Sequence, residues 1–154
     1  LIPGSIFCYL IQYINGIDLL TKSKIENLFV YYFAGMVISR LGSLIVEPLA
    51  KRIGIVNYAD YDDYLPASKT DVKIDILLET NNLYRTISAG SLLIIVVSIY
   101  LFAEQKISFL SNVTPYITIV SLFVLFLLSY RKQTDYIRKR VEHAVQTKQK
   151  ENIK

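Results

Sequence analysis

Residues 86–103 read TISAGSLLIIVVSIYLFA, and residues 107–130 read ISFLSNVTPYITIVSLFVLFLLSY. Neither stretch contains a Lys, Arg, Asp or Glu, and the connector between them carries only Glu104 and Lys106 as charges. A helix needs about 20 apolar residues to cross the hydrocarbon core of a bilayer. The two stretches therefore predict two spanning helices joined by a tight turn, which makes residues 87–130 a transmembrane hairpin.

Two further apolar blocks precede this hairpin. Residues 1–17 read LIPGSIFCYLIQYINGI without a charge, and residues 27–46 read NLFVYYFAGMVISRLGSLIV. The chain is 53% hydrophobic and only 19% charged, a balance more apolar than that of an ordinary soluble domain. We predict an all-α integral membrane protein with about four transmembrane helices, the first two within residues 1–46. Because the chain begins at Leu1 and not at Met, we expect a short piece ahead of it.

The segment between the second and third blocks, residues 47–86, is polar. After Pro66 its residues follow the i, i+3, i+4, i+7 spacing of an amphipathic helix, at Ile74, Leu77, Leu78 and Asn81. We predict a loop followed by an amphipathic helix that leads into the third span.

The C-terminal tail, residues 131–154, holds eight Lys or Arg and three Asp or Glu, and a thin apolar stripe predicts a basic helix at its start. Loops rich in Lys and Arg stay on the cytoplasmic side of a membrane. We therefore expect the tail in the cytoplasm, and counting back through the spans puts residues 47–86 there too. The predicted location is the inner membrane of a bacterium.

Arg40 interrupts the second apolar block. An Arg at membrane depth costs about 3 kcal/mol on insertion scales, so it needs a compensating environment. Glu47 lies about two helical turns further on and is a candidate partner, within one protomer or between two. Arg40 and Glu47 are therefore candidates for a pore lining or an interprotomer contact. The alternative is that Arg40 reaches the interface of a short or tilted helix.

The sequence has few residues for catalysis or metal binding. Its one cysteine, Cys8, and its one histidine, His143, cannot build a Cys/His metal site, and we expect no cofactor. We predict that Cys8 is a small packing residue inside the first block.

The tail carries one known catalytic pattern, RKRVEH at residues 138–143, in which Arg138 and His143 form an R-x4-H pair. His can serve as a general acid or base near neutral pH, and Arg can hold a phosphate. Residues five apart on a helix point about 140° apart, so a second copy of the pair would be needed at one phosphate. The bland alternative is that the basic residues contact lipid headgroups, and a basic tail also attracts RNA nonspecifically.

A small multi-pass membrane protein that carries this R-x4-H pair near its C-terminus resembles the small transmembrane accessory protein of type VI-B CRISPR systems, with a divergent HEPN-like motif. The resemblance implies a homo-oligomeric, ring-shaped pore in the inner membrane and suggests eight copies. It also implies a functional partner, the RNA-guided, RNA-targeting nuclease, and a function, the enhancement of antiphage defence by depolarisation when that nuclease is active. By the same carry-over, Arg138 and His143 would be needed for the enhancement.

Two departures count against a working ribonuclease. Lys139 follows the Arg where HEPN ribonucleases usually carry Asn, His or Asp, and the pair lies on a membrane-flanking tail. We therefore expect no enzyme activity and interpret Arg138 and His143 as structural or gating residues. The alternatives are a membrane-tethered HEPN-type ribonuclease and a small toxin-like ion-leak protein unrelated to CRISPR.

Overall fold

The computed structural model describes residues 1–152, and their side chains except those of residues 61, 62, 108 and 147–152. Within this described part the regular structure is helical and contains no strand. The elements are α1 (Ile2–Asn15), α2 (Lys24–Leu41), a π-helical segment (Gly42–Val46), α3 (Glu47–Arg52), α4 (Tyr61–Thr70), α5 (Lys73–Glu104) and α6 (Ser108–Asn152). The all-α prediction is confirmed.

Three helical stretches are long and apolar enough to cross a membrane: Lys24–Arg52, Lys73–Glu104 and Phe109–Gln146. The first of them joins α2, the π-helical segment and α3 without a break. By contrast, α1 has 14 residues, or about 21 Å, against a hydrocarbon core about 30 Å thick. The structure therefore shows three candidate spans, and the expected fourth is not shown because α1 is too short by itself.

The core lies where α1, α2 and α5 meet. Cys8 of α1, Ile38 of α2 and Ala89 of α5 are 2% exposed or less. The prediction that Cys8 packs in an apolar interior is confirmed. Close approach of α1 to α2 depends on Gly4, since a Cβ there would overlap the carbonyl oxygen of Tyr31. Contact at a residue without a side chain is the way transmembrane helices often meet.

The predicted amphipathic helix and the third span form one helix, α5, of 32 residues. It begins after Asp71, whose carboxylate accepts a hydrogen bond from the Lys73 N–H at 3.0 Å. Helical spacing around Leu77 is therefore confirmed, but the segment does not end before the span begins. Leu77 is 66% exposed, whereas Ile74 and Asn81 of the same stripe are partly buried.

The short turn before the last span is confirmed, because α5 ends at Glu104 and α6 begins at Ser108. Thr114 ties the two helices together, with its hydroxyl 2.7 Å from the Tyr100 hydroxyl and 3.1 Å from the Glu104 carboxylate. The helix α6 then continues for 45 residues, through the apolar block and into the basic tail. The sequence boundary after residue 130 therefore has no break in the backbone, while residues 153 and 154 of the tail lie outside the described part.

Candidate functional site: a charge cluster at the ends of three apolar blocks

The site centres on Glu47, the first residue of α3, which is only 7% exposed. Its carboxylate lies 2.7 Å from the Arg85 guanidinium, 3.0 Å from the Lys51 ammonium and 3.4 Å from the Lys132 ammonium. A buried carboxylate without a partner would be strongly destabilising, whereas one with several close cations is compensated. We call Glu47, Lys51, Arg85 and Lys132 the charge cluster.

Each cation of the charge cluster comes from a different element at the edge of the apolar blocks. Lys51 lies one turn after Glu47 on α3, Arg85 immediately precedes the third apolar block on α5, and Lys132 follows the fourth block on α6. Gly42 allows α5 to come close, since a Cβ there would lie 3.3 Å from the Arg85 carbonyl oxygen. The ion pairs therefore join three long helical stretches where their apolar blocks end.

The π-helical segment gives Lys132 a second binding partner. The Glu47 N–H donates to the carbonyl of Gly42, five residues earlier, and not to that of Ser43, four residues earlier. Position 48 is a proline, which has no N–H to offer Ser43 either. The Lys132 ammonium takes both free acceptors of Ser43, its carbonyl at 2.6 Å and its hydroxyl at 2.8 Å. Pro48 and the wide turn of the π-helical segment thus leave the Ser43 carbonyl free, and Lys132 binds it.

Arg40 lies near the charge cluster but does not pair with Glu47 within the chain. It is half-buried and lines a narrow gap between α2 and α6, together with Ser43, Ser129 and Tyr136. Among the described residues Arg40 makes no ion pair. Within the described chain the partners of Glu47 are Lys51, Arg85 and Lys132. An Arg40–Glu47 contact between protomers is a prediction that the single chain does not test.

Cations outnumber acids at this end of the molecule. Three cations share the one carboxylate of Glu47, with Arg40 close by, and Arg85 Nε is buried without an acceptor in the described part of the chain. The site therefore offers cationic hydrogen-bond donors beyond those that its own acid satisfies. Such donors suit an anionic group, because ammonium and guanidinium groups make strong bonds to phosphate or carboxylate.

Arg138 and His143 both lie on α6, but the helix does not bring them to one point. Five residues along a helix separate two side chains by about 140° around the axis. Arg138 is exposed, with Asp135 at 3.4 Å and Glu142 at 3.9 Å from its guanidinium, and His143 is half-exposed. Within one chain, therefore, Arg138 faces carboxylates on its own helix and the pair does not converge on a single site.

Sequence reasoning missed Lys51, Arg85 and Lys132. Each appeared as an ordinary charge beside an apolar block, and such charges are expected at any membrane boundary. Two signals were available: Glu47 is an acid directly at the end of an apolar block, and Lys51 follows it at the i, i+4 spacing of a helical ion pair. Whether Arg85 and Lys132 also bind Glu47 depends on how α5 and α6 pack against α2, and no spacing along the chain encodes that packing.

Compared with known proteins, the chain matches no family model, no curated protein and no solved structure. The resemblance to the type VI-B accessory family therefore stays a hypothesis that rests on Arg138, His143 and the apolar blocks.

Proposed function

We propose that this chain is a multi-pass inner-membrane protein whose copies assemble into a ring-shaped, ion-conducting pore. In this proposal the pore enhances type VI-B CRISPR antiphage defence by depolarising the membrane when the partner RNA-guided nuclease is active. The observation that supports a pore is the concentration of charge where the apolar blocks end, around Glu47 and Arg40. The link to CRISPR defence rests on the family resemblance.

Residence in a membrane is supported by the large apolar surface that the single chain leaves uncovered. Only 11%, 22% and 11% of the most apolar windows of the three candidate spans are buried within the chain. Aromatic and aliphatic side chains such as Phe29, Ile99 and Phe123 are more than 60% exposed. Soluble monomers rarely expose apolar patches of this size, whereas lipid tails or other copies of the chain would cover them.

Arg40 favours a pore over a simple membrane anchor, because an anchor needs no charge at membrane depth. One protomer with three or four spans encloses no wide channel, so a pore needs several copies, and a closed ring is the usual solution for identical subunits. The family resemblance suggests eight copies. The candidate positions for a pore lining or an interprotomer contact remain Arg40 and Glu47.

The topology we propose has four crossings with the C-terminus in the cytoplasm. Ile2–Asn15 would form the first crossing together with adjoining apolar residues such as Ile17 and Leu20, which pack against the core. Residues 47–86 and the tail then share the cytoplasmic side, which agrees with the cations of the charge cluster. A reporter at the N-terminus separates the models: four crossings place it in the cytoplasm, and three place it outside.

For Arg138 and His143 we propose a structural or gating role and no ribonuclease activity. The carboxylates of Asp135 and Glu142 near Arg138 would compete with an RNA phosphate for its guanidinium. An active site would further require the same residues from a second copy.

The test is the membrane potential of cells that express the chain together with the nuclease, with and without its target RNA. We expect depolarisation only when the nuclease is active. Arg40→Leu should abolish it, whereas Arg52→Leu, an exposed arginine on α3, is the matched control that should keep it. Depolarisation without the nuclease would support the ion-leak alternative. An unchanged potential, with extra RNA cleavage that disappears in His143→Ala, would overturn the pore and support the ribonuclease.

A further inference from the structure

An apolar groove of about 660 Å³ runs between the end of α2 with its π-helical segment and the middle of α6. Leu41 of α2 with Leu44 and Ile45 of the π-helical segment forms one wall. The other wall consists of aliphatic side chains of α6: Val120, Val124 and Leu128. The groove is open to its surroundings, and its surface is mostly apolar. By its composition it suits a hydrocarbon chain.

Among the described residues that line the groove, Ser121 is the one uncharged polar residue, and the charged residues lie at one end. Arg131, Lys132 and Asp135 line it there, directly after the apolar block that ends at Tyr130. From Val120 to Arg131 the helix rises about 16 Å, close to half of the ~30 Å hydrocarbon core of a bilayer. The groove thus has the length of one leaflet, with its charged end at the level of the headgroups.

The charge at this end is positive and incompletely compensated. The carboxylate of Asp135 already faces Arg138 at 3.4 Å, and Lys132 belongs to the charge cluster, where cations exceed acids. Arg131 is exposed and, within the described residues, has no carboxylate within ion-pair distance. A negatively charged headgroup at this end would therefore meet a guanidinium that no acid of the chain neutralises.

We propose that this groove is a binding site for one anionic phospholipid of the leaflet that faces the tail, such as phosphatidylglycerol. One acyl chain lies along Val120, Val124 and Leu128, and the phosphate bonds to Arg131 with Lys132 beside it. Basic pockets between transmembrane helices bind anionic headgroups in this way. A helix of a second copy would fill the apolar part equally well, but it would leave Arg131 without an anion. The proposal rests on the membrane placement above and not on the pore.

Native mass spectrometry of the full chain, released from detergent with defined lipids, tests the site. We expect phosphatidylglycerol to be retained about five-fold more than phosphatidylcholine with the same acyl chains, since one Arg near an anionic headgroup has an effect of this size. Arg131→Gln should remove that preference and leave phosphatidylcholine unchanged, and Lys139→Gln, a tail cation away from the groove, is its matched control. Val124→Phe should lower retention of both lipids, while Ile119→Phe, on α6 but outside the groove, should not.

Equal retention of the two lipids, or a preference that survives Arg131→Gln, would overturn the lipid site. If Val124→Phe instead dissociates an oligomer without changing lipid retention, the groove is a contact between copies and the proposal is wrong. A chain that retains phosphatidylglycerol as expected but never depolarises cells keeps the lipid site and loses the pore. A chain recovered only from the soluble fraction would refute the membrane placement on which both depend.

Discussion

At the scale of single residues, Glu47 connects parts of the chain that lie far apart in sequence. Its carboxylate meets Arg85, 38 residues away, and Lys132, 85 residues away. Ion pairs at the surface of a protein contribute little, but a buried charge that loses its partner is costly. With 7% of its surface exposed, Glu47 is a buried charge of the costly kind. Removal of its carboxylate should therefore weaken the contacts among α3, α5 and α6.

We therefore predict that Glu47→Gln lowers the free energy of unfolding by about 3 kcal/mol or more, because Lys51, Arg85 and Lys132 would lose their shared anion. Glu79→Gln, an exposed acid on α5 that pairs with no cation of the described chain, is the matched control and should have little effect. Thermal unfolding in detergent measures both. Equal stability of the two variants would show that the charge cluster does not stabilise the fold.

At the scale of elements, α1 and α2 cross where a side chain has no room. A Cβ at Gly4 would overlap the Tyr31 carbonyl oxygen and lie 2.8 Å from the Gly35 nitrogen, whereas a Cβ at Gly35 would lie 3.5 Å from the Gly4 backbone. The first contact is backbone against backbone and cannot yield without moving a helix. The second is an ordinary van der Waals distance. The two glycines of the crossing are thus not equivalent.

This asymmetry predicts that Gly4→Ala destabilises the protein by about 1–3 kcal/mol through overpacking, while Gly35→Ala has a much smaller effect. Cys8, which is buried beside this crossing and is the one cysteine of the chain, reports the opening of the helices. We expect Cys8 to react with a thiol reagent in folded Gly4→Ala and to stay protected in Gly35→Ala. Similar protection of Cys8 in both variants would contradict the close crossing.

The π-helical segment is the second feature at this scale. Pro48 offers no N–H, the Glu47 N–H bonds to Gly42, and the Lys132 ammonium satisfies the Ser43 carbonyl at 2.6 Å. Pro48 has no backbone N–H to donate to the Ser43 carbonyl, and the Lys132 ammonium donates to it instead. The two residues should therefore be energetically coupled. In Pro48→Ala a backbone N–H returns at the position where a helix can use it, and the segment can become an ordinary α-helix.

A double-mutant cycle tests this coupling. We predict that Lys132→Gln costs more stability in the presence of Pro48 than in a Pro48→Ala background, with an interaction energy of about 0.5–3 kcal/mol, the range for residues that share a network. Lys51→Gln in the same two backgrounds is the control, since Lys51 binds Glu47 but not Ser43. Additive effects of Pro48→Ala and Lys132→Gln would mean that the wide turn does not depend on the lysine.

At the scale of the whole molecule, the ion pairs fix which ends of the apolar blocks lie together. Glu47, Arg85 and Lys132 meet at one end of these blocks, and from Arg85 the helix α5 continues for about 20 residues to the turn at Gln105. If α5 crosses a membrane, the segment after Glu47 and the tail after Lys132 must share one side, and Gln105 must lie on the other. This arrangement follows from contacts and does not depend on the count of crossings before α2.

This arrangement can be tested with single cysteines introduced into a Cys8→Ser chain. The measurement is their labelling by a membrane-impermeant maleimide on intact spheroplasts. Gln105→Cys should react directly, whereas Asn57→Cys and Lys139→Cys should react only after lysis, because Lys and Arg hold their side in the cytoplasm. All three positions are exposed in the structure. Asn57→Cys and Lys139→Cys on opposite sides would contradict the charge cluster, and both reacting directly would reverse the orientation.

The sequence by itself determined the helical class and the positions of the apolar stretches. The length of an apolar run and its lack of charge can be read from consecutive residues. The hairpin around Glu104 and Lys106 and the buried packing of Cys8 were therefore predictable. Helix ends were not: a proline favours the first turn of a helix, but α6 begins at Ser108 and continues through Pro115, although Pro115 has no N–H for the helical hydrogen bond to residue 111.

Only the tertiary structure decided how the long helices are joined. The sequence offered Arg40 as the partner of Glu47, because an arginine inside an apolar block needs a compensating acid, but three other cations bind this acid. The choice depends on Gly42, which lets α5 approach the π-helical segment, and on Pro48, which leaves the Ser43 carbonyl free for Lys132. Both depend on contacts between helices that lie far apart in the chain. A local sequence pattern does not encode such contacts, because they arise only when the helices pack.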